Sequence, residues 1–154
     1  MIRKITSADI PLLVACRMRD VRAGVDERMG AYFEGHHHPQ KALAKRVGFL
    51  EIADEVVAGY VAGHMTTRFG YDGELQYLFV DPAHRRQGIA RELVRRLARW
   101  FAEEGVHRVC VNVDVDSDPA IPFYERMGAR PVFPDKRYWY GWEDVRALEA
   151  RTRM

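Results

Sequence analysis

Residues 74 to 116 constrain this fold more than any other stretch. "ELQYLFVD" is rich in aromatic and aliphatic residues and stops at Asp81-Pro82, because proline cannot continue a central ladder. After "HRRQGIA" comes a run in which Ala90, Leu93, Val94, Leu97, Ala98 and Phe101 recur at helical spacing. Arg91, Arg95 and Arg99 fall on its other faces, and Gly105 is placed to end it. "RVCVNVDV" then reads as another strand. Strand, helix, strand in that order brings the two strands side by side, parallel or nearly so, in one sheet.

The rest of the chain fills in around this unit. "MIRKIT" reads as a short strand and "SADIPLLVACRMRDV" as a helix, capped by Ser7 or Asp9 with Pro11 in its first turn. Its apolar face takes Leu12, Leu13, Cys16 and Val21. Ala23 to Pro39, broken by glycines and the His36–His38 triplet, reads as a loop or irregular helix, and "PQKALAKRV" as a second short helix. "GFLEIAD", "EVVAGYVAGHMTT" and "ELQYLFVD" form a strand meander, and "ARPVF" and "RYWYGW" are late strands. With 154 residues and neither repeat nor linker, residues 1–154 are expected to form one domain. A net charge of +2 is too small to imply nucleic acid by itself, so any attraction for anions must be local. Two cysteines far apart in a core-forming chain, no membrane-length apolar run and no signal-peptide core point to the cytoplasm, with no membrane partner.

"RRQGIA" is the turn that enters the long helix. The first N–H groups of a helix lack internal partners and sit at the positive end of its dipole, so they suit an anion. Gly88 and the small Ala90 let a phosphate approach the backbone, and Arg85, Arg86 and Arg91 add charge. The spacing fits neither a P-loop nor a dinucleotide-binding fingerprint. On these residues alone, a capped surface turn is the simpler reading.

The wider context favours phosphate. The run from Ala58 to Phe133 resembles the GNAT superfamily of acyl-CoA-dependent N-acetyltransferases. The resemblance is carried by Val80, Pro82, the Arg85-x-x-Gly88-x-Ala90 signature and "AIPFYERMGA". It implies an α+β fold, a mixed and mostly antiparallel sheet of six or seven strands, splayed at a parallel pair and flanked by helices. It also implies acetyl-CoA as co-substrate. Backbone amides of Arg86, Gln87, Gly88, Ile89 and Ala90 would hold its pyrophosphate, and Arg91 or Arg95 its 3′-phosphate. The strand around Leu78, Phe79 and Val80 would pair with the pantetheine arm, and an amide near Leu78 or Phe79 would polarise the thioester carbonyl.

Direct acetyl transfer needs a neutral amine, so a base is useful, and the leaving thiolate benefits from an acid. The resemblance places Tyr124 as the acid, against the alternative of a packed core tyrosine. It places Glu74 as the base, through water, against the alternative of an exposed residue opening a strand. Gln76 would share its strand face by alternation. Where the family often has asparagine to contact pantetheine, this chain has Ser117, which also suits a helix cap.

Other patterns carry less. Asp114, Asp116, Asp118 and Glu125 mimic a calcium loop, but Pro119 stands where glycine is needed and a strand precedes it, so no metal is expected. Adjacent histidines share no face, and His64 reads as a core or pocket residue. Cys110 reads as a buried hydrophobe. Tyr138, Trp139, Tyr140 and Trp142 are packing residues or a wall of the acceptor pocket. Two other functions stand beside acetyl transfer: an acyl-CoA sensor without turnover, and nucleic-acid binding by the arginine-rich helix, against which the near-balanced charge argues. The acceptor, a small-molecule or peptide amine, is not legible, and a homodimer is consistent with the family.

Overall fold

The computed structural model describes residues 1–20, 28–113, 120–133 and 136–152. Its seven strands are β1 (Ile2–Lys4), β2 (Ala42–Ala53), β3 (Val56–Thr66), β4 (Gly73–Val80), β5 (Val109–Asn112), β6 (Arg130–Phe133) and β7 (Lys136–Trp142). They form one sheet in the order β1-β2-β3-β4-β5-β7-β6. Every neighbouring pair is antiparallel except β4 and β5. The helices are α1 (Ile10–Met18), α2 (Met29–Glu34), α3 (Ile89–Glu103), α4 (Ala120–Arg126) and α5 (Val145–Thr152).

The long helix behaves as its periodicity predicts. α3 buries Leu93, Val94, Leu97, Ala98, Trp100 and Phe101 against one face of the sheet, with Phe49, Val61 and Leu75 beneath it. Gly105 follows it in the left-handed region at φ 80°. The other face carries a smaller core in which Leu13 and Cys16 of α1 and Met29 of α2 meet Leu50, Tyr60 and Phe79. The β2–β3 hairpin closes through Asp54 and Glu55, both at positive φ, as a tight two-residue turn requires.

Several expectations are corrected. "PQKALAKRV" is no helix. From Ala42 onward it is strand, because Arg46 and Val47 lie opposite His64 and Gly63, and that pairing outweighs the helical propensity of Ala and Lys. Leu12 is half exposed rather than inward. Asp9 stands at the cap position of α1, but its carboxylate turns back to accept the Thr6 N–H at 2.8 Å and two bonds from Arg3. Of the two readings of Ala23 to Pro39, loop or irregular helix, residues 29–34 take the helical one as α2. α5, absent from the sequence reading, packs Val145 and Leu148 into the α3 core. Val21 lies outside the described residues. Among the described residues, no helix is long and apolar enough to cross a membrane.

Candidate functional site

The parallel pair stops early. β4 and β5 are in register from Gly73 and Val109 to Leu75 and Val111, and beyond Leu75 the strand β4 runs on to Val80 without β5. A bulge begins the departure. Leu75 lies opposite Gly63 and Tyr77 opposite Ala62, so Gln76 is the extra residue. Strict alternation is broken there: Leu75 and Leu78 both face the α3 core, while Tyr77 and Phe79 face the α1 side. Gly63 is needed beneath the bulge, since a Cβ there would sit 2.8 Å from the Glu74 carbonyl oxygen and 2.9 Å from Phe101.

One hydrogen bond sets the phase of the free stretch. The Asp81 N–H donates to the Ala58 carbonyl at 2.7 Å. Peptide groups alternate along an antiparallel ladder, so Tyr77 and Phe79 turn theirs toward β3. Leu78 and Val80 turn theirs to the open side. The Val80 carbonyl there accepts Arg85 Nε at 3.0 Å.

The turn that follows is exposed and sharply bent. Arg86 (φ 64°) and Gly88 (φ 79°) are both left-handed, and Gly88 immediately precedes α3. Successive amides in such a turn, at a helix N-terminus, form a concave donor surface. Arg86, Gln87 and Gly88 are exposed, Ile89 and Ala90 half-buried, and a Cβ on Gly88 would lie 3.8 Å from Arg91 Nη2. Arg85 is committed elsewhere: Nη2 meets Asp20 at 2.7 Å. Beneath the turn, Asp81 accepts the Ala83 N–H, pairs with Arg19 at 2.9 Å and lies 3.3 Å from His84 Nδ1. The remaining α3 arginines are partly engaged, Arg95 with Glu92, Arg99 with Glu149 and Arg96 over the Phe49 ring.

Glu74 and Tyr124 lie on opposite faces of the sheet. Tyr124 sits in α4, packed edge-on against Trp142 and Phe123 within the α3 core. Burial pushes its phenol well above the usual range, and among the described residues its hydroxyl takes no hydrogen bond. Glu74 is not the exposed strand opener of the alternative reading; it is 3% exposed. Its Oε1 accepts Arg68 Nε at 3.0 Å, with Thr66 Oγ1 at 3.5 Å and His64 Nε2 at 3.7 Å. Arg68 in turn stacks over Trp139, which meets Phe69 edge-on. Trp139 thus belongs to a wall beside the site, whereas Tyr140 and Trp142 are core. The histidine triplet serves Arg46, which reaches the His37 carbonyl and His38 Nδ1. Cys110 is fully buried, and burial raises its thiol to about 12. Ser117 and the Asp114–Pro119 stretch lie outside the described residues.

Sequence reasoning missed the partners of Glu74. His64 faces Glu74 in the β3–β4 hairpin register, and Tyr32 reaches the other side of the imidazole. Hairpin pairing was a usable signal for His64; nothing local pointed to Tyr32 or Arg68.

A sequence model described as the Acetyltransferase (GNAT) family matches residues 18–129. Among solved structures, an acetyltransferase of the GNAT family from Staphylococcus aureus Mu50 superposes with a TM-score of 0.73 at 15% identity, covering 94% of this chain and 98% of its own. PaiA N-acetyltransferase from Thermoplasma acidophilum, in complex with coenzyme A, gives 0.70 at 13% identity, with 93% and 98% covered. The ribosomal-protein-S18-alanine N-acetyltransferase from Escherichia coli gives 0.66 at 20% identity, with 92% and 90% covered.

Proposed function

The chain belongs to the acetyltransferase (GNAT) family, and on that premise we propose that it moves an acetyl group from acetyl-CoA directly to a primary amine, as a single domain of the cytoplasm. The observation that carries this reading is the parting of β4 from β5 after Leu75, above an exposed turn with two left-handed residues. The residues present suit acetyl-CoA. Amides from Arg86 to Ala90 match a pyrophosphate, the Arg91 or Arg95 guanidinium matches the 3′-phosphate, and the open-side peptide groups of Leu78 and Val80 match an extended amide-bearing arm. The likeness in fold to a protein holding coenzyme A supports the same ligand.

The bound thioester supplies an activated acyl group; the chain supplies position and proton traffic. The Leu78 N–H stabilises the developing oxyanion. Glu74 takes the proton from the attacking amine through water, which matters because amines are mostly protonated at neutral pH. As the new C–N bond forms and the C–S bond breaks, Tyr124 gives its proton to the departing sulfur. Base and acid on opposite faces of the sheet suit attack from one side and departure to the other. Phe79 contributes packing rather than an amide, because its peptide faces β3. Ser117 contacts the pantetheine arm on the family resemblance alone.

Calorimetric titration with acetyl-CoA, coenzyme A and ATP tests the reading. Micromolar binding of acetyl-CoA with little response to ATP is expected. Absence of coenzyme binding would overturn the phosphate-turn assignment, and binding without transfer in a single-turnover assay would make the protein an acyl-CoA sensor.

A further inference from the structure

Three buried side chains form a line from α2 to the base. Tyr32 and His64 are both 0% exposed, and Glu74 is 3% exposed. The Tyr32 hydroxyl lies 2.9 Å from His64 Nδ1. On the other side of the ring, His64 Nε2 is buried without a hydrogen-bond partner among the described residues and lies 3.7 Å from Glu74 Oε1. A desolvated ring nitrogen left unbonded is costly, and a closure of under about 1 Å would satisfy it.

Chemistry selects the tautomer. A proton on Nδ1 would leave a bare Nε2 lone pair facing a carboxylate. With the proton on Nε2, the ring points a donor at Glu74 and an acceptor at the Tyr32 O–H. Burial keeps the Tyr32 phenol protonated, so it donates. The two nitrogens near Glu74, from Arg68 and His64, both approach Oε1, while the Thr66 hydroxyl, 3.5 Å from the same oxygen, has its shorter bond to the Lys41 carbonyl at 3.1 Å. Among the described residues Oε2 takes none, so it is the atom left to receive a proton.

We propose that His64 is a positioning residue: it holds Oε1 of Glu74 so that Oε2 faces the incoming proton, and Tyr32 fixes the tautomer that allows it. This rests on the reading of Glu74 as base. The charged or titratable groups around the line are Arg46 of β2, whose guanidinium lies over the Tyr32 ring, Tyr77 of β4, Arg68 of the β3–β4 turn and Cys110 of β5.

Two measurements test it together. Nitrogen-15 NMR of histidine-labelled protein, with the His64 signal assigned from its loss in His64→Gln, should show the Nε2–H tautomer at neutral pH and mixed tautomers in Tyr32→Phe. An Nδ1–H tautomer or a charged ring at neutral pH would overturn the proposal. Thiol release from acetyl-CoA, with n-butylamine as probe acceptor, gives the second readout. His64→Leu should lower kcat about tenfold and Tyr32→Phe about threefold, leaving the KM for acetyl-CoA within about twofold. His64→Gln, which keeps an N–H donor, should recover part of the loss. Each deficit should widen as the pH falls below the amine's pKa, as for Glu74→Gln. Deficits independent of pH in the His64 and Tyr32 variants, beside a pH-dependent one in Glu74→Gln, would sink the positioning role and leave the base standing. A pH-independent deficit in Glu74→Gln would remove the base itself, and the positioning role with it.

Discussion

Tyr124 and Glu74, the candidate acid and base, differ in how much of each the chain and the fold reveal. Tyr124 was legible from the "FYERMG" block, and its burial in the α3 core explains why it stays protonated: a phenol out of water resists becoming an anion. Since its pKa is raised, the proton remains available across neutral pH and is lost only in strong alkali. Tyr124→Phe keeps the ring packing against Trp142 and removes the proton. It should lower kcat by about a hundredfold, within the range for acid catalysis, with acetyl-CoA affinity nearly unchanged by calorimetry. Equal losses in both would show that the hydroxyl serves binding. Glu74 was legible only as a position. Its burial, its bond from Arg68 and the approach of His64 come from the β3–β4 hairpin, and Tyr32, which contacts His64, lies 42 positions before Glu74.

Elements were read well where periodicity was long and poorly where it was short. α3 and the meander are amphipathic or β-rich over many residues, and they form as expected. The segment from Ala42 to Val47 has helix-forming residues but lies opposite β3, and non-local pairing decides it. The bulge at Gln76 left no local mark, yet it turns Leu78 toward the α3 core. At the N-terminus, Arg3 clamps Asp9 by two bonds of 2.8 Å, and the guanidinium holds the Asp9 carboxyl well below the usual carboxylate range. A depressed carboxylate stabilises the fold fully above its unfolded value of about 4 and loses that contribution as pH falls through the lower folded value. Asp9→Asn should therefore melt a few degrees below the parent at pH 7. The gap should begin to narrow as pH falls below about 4 and close only in strong acid, below the depressed folded value; a gap constant with pH would mean the ion pair contributes little.

Across the whole molecule, both cysteines are shut away from solvent, Cys16 in the α1-side core and Cys110 in the central strand β5. Cys16 and Cys110 are fully buried, and burial raises both thiols, Cys110 to about 12. Neither should react with a thiol-directed disulfide reagent at pH 8 until the protein unfolds, so labelling should follow the denaturant transition measured by circular dichroism. Rapid labelling of one thiol in native buffer would show that its face opens locally. The sequence by itself determined the parallel crossover, the α3 face, the turn at Arg85–Gly88 and the family, because each is written in contiguous spacing and local backbone chemistry. Only the tertiary structure decided where β4 leaves β5, which peptide groups face the opening, and that Glu74 is held by Arg68 and approached by His64. Those follow from strand register and side-chain packing, and beyond the hairpin pairing that sets His64 opposite Glu74 no local pattern encodes them.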